Sequence, residues 1–246
     1  MKRLIPCLTV KNRGLVKTTR FKNPRYIGDP INAVRIFNDK EVDELILVDI
    51  AATRLGADPD LSLASEIAGE AFMPVCYGGG IKSLQQIESI LRVGVEKVLI
   101  NSAAATDSGL IKSAAKEFGS STIVGGFDVK HSWFKQIKVA IRSGTVKTRY
   151  LALDYARRLE DLGCGELFVN SIDRDGTYSG YDCQLLGDIA SAVKIPVIGC
   201  GGAGGLDHVH ELFTHTNVGA AAAGSMFVYY GPGRGVLINY PRLSSF

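Results

Sequence analysis

The chain has no run of eighteen apolar residues, so no membrane-spanning helix is expected. Its opening, MKRLIPCLTV, has two basic residues but too short an apolar stretch before Lys11 for a secretory signal; the cytoplasm is the expected location. Neither charge sign dominates. There are 28 Lys and Arg against 25 Asp and Glu, a net +3, and the cations are scattered. No nucleic-acid stripe is expected, although the sign suits a small anionic substrate. Cysteines are few: Cys7, Cys76, Cys164, Cys183 and Cys200 are odd in number and contain no close pair. That excludes a disulfide framework or a structural zinc set. Three of the four histidines, His208, His210 and His215, crowd one predicted helix and read as a solvated face. No metal and no other cofactor is expected.

Two glycine-rich breaks stand out. IPVIGCGGAGG runs from Ile195 to Gly205, and MPVCYGGGIKS from Met73 to Ser83. Each reads as a short buried strand that breaks into glycines where a helix should begin. Such a break frees backbone N–H groups to cradle an anion. The glycines at 79 and 201 are 122 residues apart. LVDI from Leu47 lines up with VNSI from Val169 at the same spacing, and Asn101-Ser102 with Gly224-Ser225 at nearly the same. The chain therefore reads as two related halves, about 1–120 and 121–246, within one domain of 246 residues.

Apolar runs place strands over Leu4–Val10, Glu44–Ile50, Met73–Tyr77, Lys97–Asn101, Thr122–Asp128, Glu166–Ser171, Ile195–Cys200 and Val218–Ala223. Helical segments fall between them: Pro30–Phe37 behind a cap at Asp29, then about 60–70, 83–92, 107–117, Ala152–Leu162, 184–192 and 206–213. A small ribbon, Ile137–Ala140 and Thr145–Thr148, turns at Ser143-Gly144. Residues 11–30, polar and basic, are too many for an ordinary connection and read as a functional or disordered loop. Unbroken βα alternation implies a parallel sheet with right-handed crossovers. Eight units in this length predict a (β/α)₈ TIM barrel with pseudo-twofold halves, its chemistry at the C-terminal strand ends. An open doubly wound sheet is the alternative, but it explains one glycine break and not two at half-chain spacing.

The strand ends then give the candidate site. They offer Cys7 and Thr9, Asp49, Gly79 and Gly80, Asn101 and Ser102, Asp128 and Lys130. From the second half come Ser171, Asp173, Asp175 and Gly176, then Cys200, Gly201 and Gly202, then Gly224 and Ser225. Asp128 closes the apolar run TIVGGF, where partial burial raises a carboxyl toward a pKa useful for proton transfer. The competing reading is an acid simply held by Lys130. Asp49 closes ELILVDI in the same way and is expected to orient Lys17 or a substrate group. SIDRDGTYSGYD suits a loop over substrate, with Asp175 reaching in and the Gly176 amide meeting phosphate. It lacks the acid order and final Glu of a calcium loop. Cradles at Gly80, Asn101 and Ser102 and at Gly202, Gly224 and Ser225 imply an elongated ligand with phosphate at both ends.

Through DELILVDI, GGGI, VLINSAA, SIDRDGT-SGYD and GGAGG the chain resembles, over nearly its whole length, the cyclase subunit of imidazole glycerol phosphate synthase. The resemblance implies a barrel that receives ammonia from a glutaminase subunit and adds it to a ribulosyl aminoimidazole carboxamide nucleotide. It implies acid–base work by two aspartates, of which Asp128 is present and the strand-one member is replaced by Thr9. Cys200 and Asn170 stand where the family usually has serine and threonine. Arg3, Glu44, Lys97 and Glu166 match the family's charged gate at the N-terminal face, where the glutaminase would dock. The tail GPGRGVLINYPRLSSF, rich in glycine and proline, cannot form the family's long closing helix. It is similar instead to a divergent branch linked to surface polysaccharide, whose ammonia is thought to go to a separate sugar amidotransferase.

Overall fold

The computed structural model describes residues 2–131, 136–231 and 233–241. In chain order, β1 (Arg3–Lys11) folds back into β2 (Gly14–Thr19) and β3 (Lys22–Gly28) before α1 (Pro30–Asp39). Next come β4 (Leu45–Asp49), α2 (Ala52–Leu55), α3 (Leu61–Glu70), β5 (Val75–Gly78) and α4 (Leu84–Arg92). The first half ends with β6 (Lys97–Ile100), α5 (Ser102–Thr106) and α6 (Ser108–Phe118). The second opens with β7 (Ile123–His131), β8 (Ile137–Ile141), β9 (Val146–Leu151) and α7 (Ala152–Asp161). It continues with β10 (Glu166–Ser171), α8 (Cys183–Ala192), β11 (Val197–Cys200) and α9 (Leu206–His215). It closes with β12 (Ala220–Ala223), α10 (Ser225–Val228), β13 (Tyr229–Tyr230) and β14 (Gly235–Val236).

Eight strands pair in parallel around a complete circle. The order is β1, β4, β5, β6, β7, β10, β11, β12 and back to β1. Closure leaves no sheet edge and explains why the strands are buried on both faces. Outside the wall, the main core packs α1, α3, α4, α6, α7, α8 and α9 through residues such as Phe37, Ile67, Ile90, Ile111, Tyr155, Ile189 and Leu212. Inside lies a separate apolar cluster of Ile5, Cys7, Ile46, Cys76, Leu99, Val124, Phe168, Ile198, Cys200, Ala220 and Ala222. Alternation along each strand sorts residues between these two cores.

The halves repeat closely. Helix starts at 30, 61 and 84 recur at 152, 183 and 206, each 122 residues later. Asp60 caps α3 by accepting from Leu63 N, and Asp182 caps α8 by accepting from Leu185 N. In each half the first strand overshoots the barrel and folds back as an antiparallel ribbon, β1–β2–β3 and β7–β8–β9.

That ribbon corrects the reading of residues 11–30 as a loop. Lys11 pairs with Gly14, and Thr19 with Lys22, so two-residue turns join the strands at Asn12-Arg13 and Arg20-Phe21. All four turn residues have positive φ, between 51° and 62°. This matches the type I′ geometry that hairpin twist favours, built without the usual glycine.

The tail forms no helix after α10 among the described residues; Pro232 and residues 242–246 lie outside them. It runs back along the wall in extended form. Leu237 N donates to Val228 O and Asn239 N to Phe227 O, while Tyr240 stacks on Phe227 at 5.5 Å. The Tyr240 hydroxyl then donates to Leu4 O at 2.9 Å, near the N-terminal end of β1.

Candidate functional site

The C-terminal strand ends enclose a cavity of about 760 Å³. Its lining includes Cys7, Thr9, Lys17, Asp49, Gly80, Asn101, Ser102, Asp128, Asp175, Gly176, Cys200, Gly201, Gly202, Gly224 and Ser225. Three expected residues are not among them: Lys130, Ser171 and Asp173, whose Oδ2 accepts from His131 N at 2.8 Å. Lys130 lies past the mouth, exposed on β7 opposite Lys138 of β8. Ser171 is buried in the wall; by strand alternation Asn170, its neighbour, faces the cavity instead. Asn170 was visible in the sequence only as a departure from the family pattern. Arg142 and Ser143, also in the lining, come from the β8–β9 turn. Arg142 N donates to Ser102 Oγ at 3.0 Å, and Ser143 Oγ to Ile50 O at 3.1 Å, so this turn is pinned across the mouth.

Asp128 is 7 % exposed, and burial pushes its carboxyl up to about 7. A hydrogen bond from Asn101 Nδ2, 3.1 Å from Asp128 Oδ2, opposes the rise, and the charge of Asp175 adds to it. Asp128 is thus poised to gain or lose a proton near neutrality. Lys130 has no part in this. Asp175 is also raised, by burial, against hydrogen bonds from Thr18 Oγ1 (2.7 Å) and Phe21 N (3.2 Å) and the charge of Lys17.

Thr9 is different. Its hydroxyl donates to Val16 O on the neighbouring β2. With that proton engaged and a pKa far above neutrality, it cannot exchange protons as a carboxylate does.

Lys17 is buried and its Nζ donates to Cys7 O at 2.7 Å. Burial lowers its pKa, against the charges of Cys7, Asp175 and Cys200. The expected pairing with Asp49 does not occur. Asp49 Oδ1 accepts from Ala51 N at 2.8 Å and Ala52 N at 3.1 Å, which ties down the start of α2. Cys7 and Cys200 meet through a hydrogen bond, and this bond together with burial drives the Cys200 thiol well above its ordinary range.

Two glycines of the expected second cradle are tightly packed. A Cβ on Gly202 would sit 2.0 Å from Gly180 O, and one on Gly224 would sit 2.1 Å from Lys17 Nζ. Gly202 also has a φ of +102°. A bulkier residue at either position would displace backbone or lysine, so glycine replacement cannot report cleanly on anion binding.

At the opposite end, Arg3, Glu44, Lys97 and Glu166 come together. Arg3 bridges Glu44 and Glu166 through its two terminal nitrogens. Lys97 Nζ reaches the same two carboxylates at 2.9 and 3.2 Å. The glutamates are only 3 % and 5 % exposed. Burial works against the charged forms of Arg3 and Lys97, yet the paired carboxylates raise both pKa values. Among the described residues, no helix is long and apolar enough to cross a membrane, and no cluster of three or more metal-ligating side chains occurs.

A closed parallel barrel with polar groups at its C-terminal mouth defines a broad class of proteins. The model of one family, described as histidine biosynthesis protein, matches residues 3–232, and the chain belongs to that family. It is 53 % identical over 243 residues to a Pseudomonas aeruginosa protein provisionally named imidazole glycerol phosphate synthase subunit hisF2, covering 99 % of this chain and 97 % of that one. A Vibrio vulnificus protein, provisionally named subunit hisF3 of the same synthase, is 44 % identical over 98 % of this chain and 94 % of its own. Subunit HisF of Bacillus cereus is 40 % identical over 93 % of this chain and 90 % of its own. The chain is thus a HisF-like protein.

Proposed function

We propose that the chain is the barrel subunit of a glutamine amidotransferase complex in the cytoplasm, passing ammonia through its interior and not consuming it efficiently as a cyclase. The observation that carries this is residue 9. Its threonine hydroxyl is spent on Val16 O, so no acid–base group stands at the strand-one position across from Asp128. A glutaminase subunit docks over the N-terminal strand ends, and the ring of Arg3, Glu44, Lys97 and Glu166 gates entry. In support, the barrel interior is an apolar cluster that includes Ile5, Cys76, Leu99, Ala220 and Ala222. The acceptor of the ammonia is a sugar amidotransferase of surface-polysaccharide synthesis; the tail, without a helix among the described residues, supports this branch.

The mouth holds a bisphosphorylated, nucleotide-like ligand or free phosphate between Gly80, Asn101 and Ser102 on one side and Gly202, Gly224 and Ser225 on the other. All six line the one cavity. One observation favours a second reading, a true cyclase of histidine biosynthesis: Asp175 is a second, half-buried carboxyl at the mouth with a raised pKa. The test of the first reading is glutamine hydrolysis by the cognate glutaminase with and without this chain, alongside copurification. Association with stimulated hydrolysis is expected. No association and no stimulation would overturn it.

A further inference from the structure

We propose that the two antiparallel ribbons over the mouth form a basic docking platform for an acidic face of the protein that accepts the ammonia. Residues 11–28 and 137–151 hold 10 of the 28 Lys and Arg and none of the 25 Asp and Glu. The rest of the chain is therefore net negative, and the small overall charge conceals a separation. The twofold repeat matches these cations in position. Arg20 and Arg142 are 122 residues apart, and so are Arg25 and Lys147.

Both ribbons are held in place at their tips. At the β2–β3 turn, Arg20 N donates to Asp175 O at 2.9 Å and Phe21 N to Asp175 Oδ2 at 3.2 Å. The β8–β9 turn is tied by Arg142 N to Ser102 Oγ and by Ser143 Oγ to Ile50 O. These four turn residues all have positive φ, between 51° and 59°. The tips also meet, since a Cβ on Gly144 would lie 3.4 Å from the Phe21 ring. The ribbons thus span the mouth as a preformed surface, and docking on it costs little ordering.

Arg20, Lys22, Arg25, Arg142, Lys147 and Arg149 are exposed, and among the described residues none of them is ion-paired. Of these six only Arg142 lines the cavity, so a small anion held there engages one of them. A broad anionic surface engages them all. Beside them Tyr26 and Tyr230 are 66 % and 68 % exposed. Arg25 stands over the Tyr229 ring at 5.7 Å, which joins the first ribbon to the tail hairpin. Tyrosine and arginine are enriched at protein interfaces, and complementary charge speeds their docking. An acceptor with acids around its own entrance would close the outlet against loss of ammonia to solvent.

The platform rests on the ammonia-delivery reading, and its test separates the two. Binding of the purified cognate sugar amidotransferase is measured by stopped-flow fluorescence at low and high salt. The wild type is compared with Lys22→Glu/Arg25→Glu and with Lys147→Glu/Arg149→Glu, each first shown to melt like wild type. Where a reversal melts early, the neutral Lys22→Gln/Arg25→Gln or Lys147→Gln/Arg149→Gln pair takes its place. Each pair should slow association about 10- to 100-fold at low salt, and high salt should remove most of the difference. Glutaminase stimulation and inorganic phosphate binding should be unchanged in both. Wild-type association insensitive to both pairs would overturn the platform. So would a matching loss of inorganic phosphate binding, which would assign the cations to the cavity ligand. Equally tight binding of a single-stranded oligonucleotide or of phosphatidylglycerol vesicles would overturn it too, as a surface for any polyanion. No acceptor binding with intact glutaminase stimulation would remove the platform alone. Acceptor binding without glutaminase stimulation would remove the delivery reading alone.

Discussion

The two ends of this barrel treat buried polar groups in opposite ways. At the N-terminal end, two cations and two carboxylates are interlocked, with each cation touching both glutamates. At the C-terminal end, Asp128 sits near its titration midpoint, Asn101 and Asn170 carry unmatched oxygens, and Arg142 projects over the mouth. One end is paired within itself; the other keeps a raised carboxyl and unpartnered oxygens beside a cavity. The contrast separates a closed ion-pair ring from a titratable cavity without appeal to any relative. Stability should therefore be sensitive to the first end, and ligand- and pH-dependent at the second.

The largest effect is expected where pairing is complete. Glu166→Ala strands Arg3 and Lys97 beside a single carboxylate, and loss of one partner from a buried network costs about 3–5 kcal/mol. Urea denaturation measures this. A loss under about 1 kcal/mol would mean the ring is as well solvated as a surface pair, and the contrast between the ends would fail.

Asp128 should show the reverse sign. Its folded pKa, about 7, lies above its ordinary carboxylate value, so the native state binds the proton more tightly than the unfolded chain does. The stability this contributes is full below about pH 4 and is lost as pH rises toward 7, on the order of 4 kcal/mol in all. Asp128→Asn removes the dependence. It should be more stable than wild type at pH 8, and the advantage should vanish by pH 4. Melting curves across that range check it, and a variant less stable at pH 8 would show that the carboxylate is solvated or paired.

A smaller effect belongs to the extended tail after α10. Tyr240→Phe deletes only the hydrogen bond to Leu4 O and should cost about 1 kcal/mol by denaturation. No change would mean that stacking on Phe227 alone fastens the tail.

Much of this molecule was legible because its signals are local. Glycines at matched spacing gave the two-half barrel, and Asp29 announced its helix: Asp29 Oδ1 accepts from Asn32 N at 2.9 Å. The β1–β2–β3 ribbon was missed because its turns place asparagine, arginine and phenylalanine at positive φ, where glycine is the usual sign. Choosing Ser171 over Asn170 was a slip of one residue along a strand, which moves a side chain from one face to the other. The pairing of Lys17 with Cys7 O, and not with Asp49, depends on a hairpin that no local pattern announced. The ring residues Arg3, Glu44, Lys97 and Glu166 are ordinary strand starts taken singly. Only the resemblance joined them in advance.

The central claim is that the mouth lacks a working pair of proton-transfer groups because Thr9 has replaced one of them. A positioned acid or base contributes about 10²–10⁴-fold, or roughly 3–5 kcal/mol of barrier. Purified wild type and Thr9→Asp, each given an ammonium salt and the ribulosyl aminoimidazole carboxamide nucleotide, test this most directly through formation of imidazole glycerol phosphate. The account predicts little or no turnover by wild type and a measurable gain in Thr9→Asp. Robust wild-type turnover that disappears in Asp128→Asn would contradict it and return the chain to histidine biosynthesis.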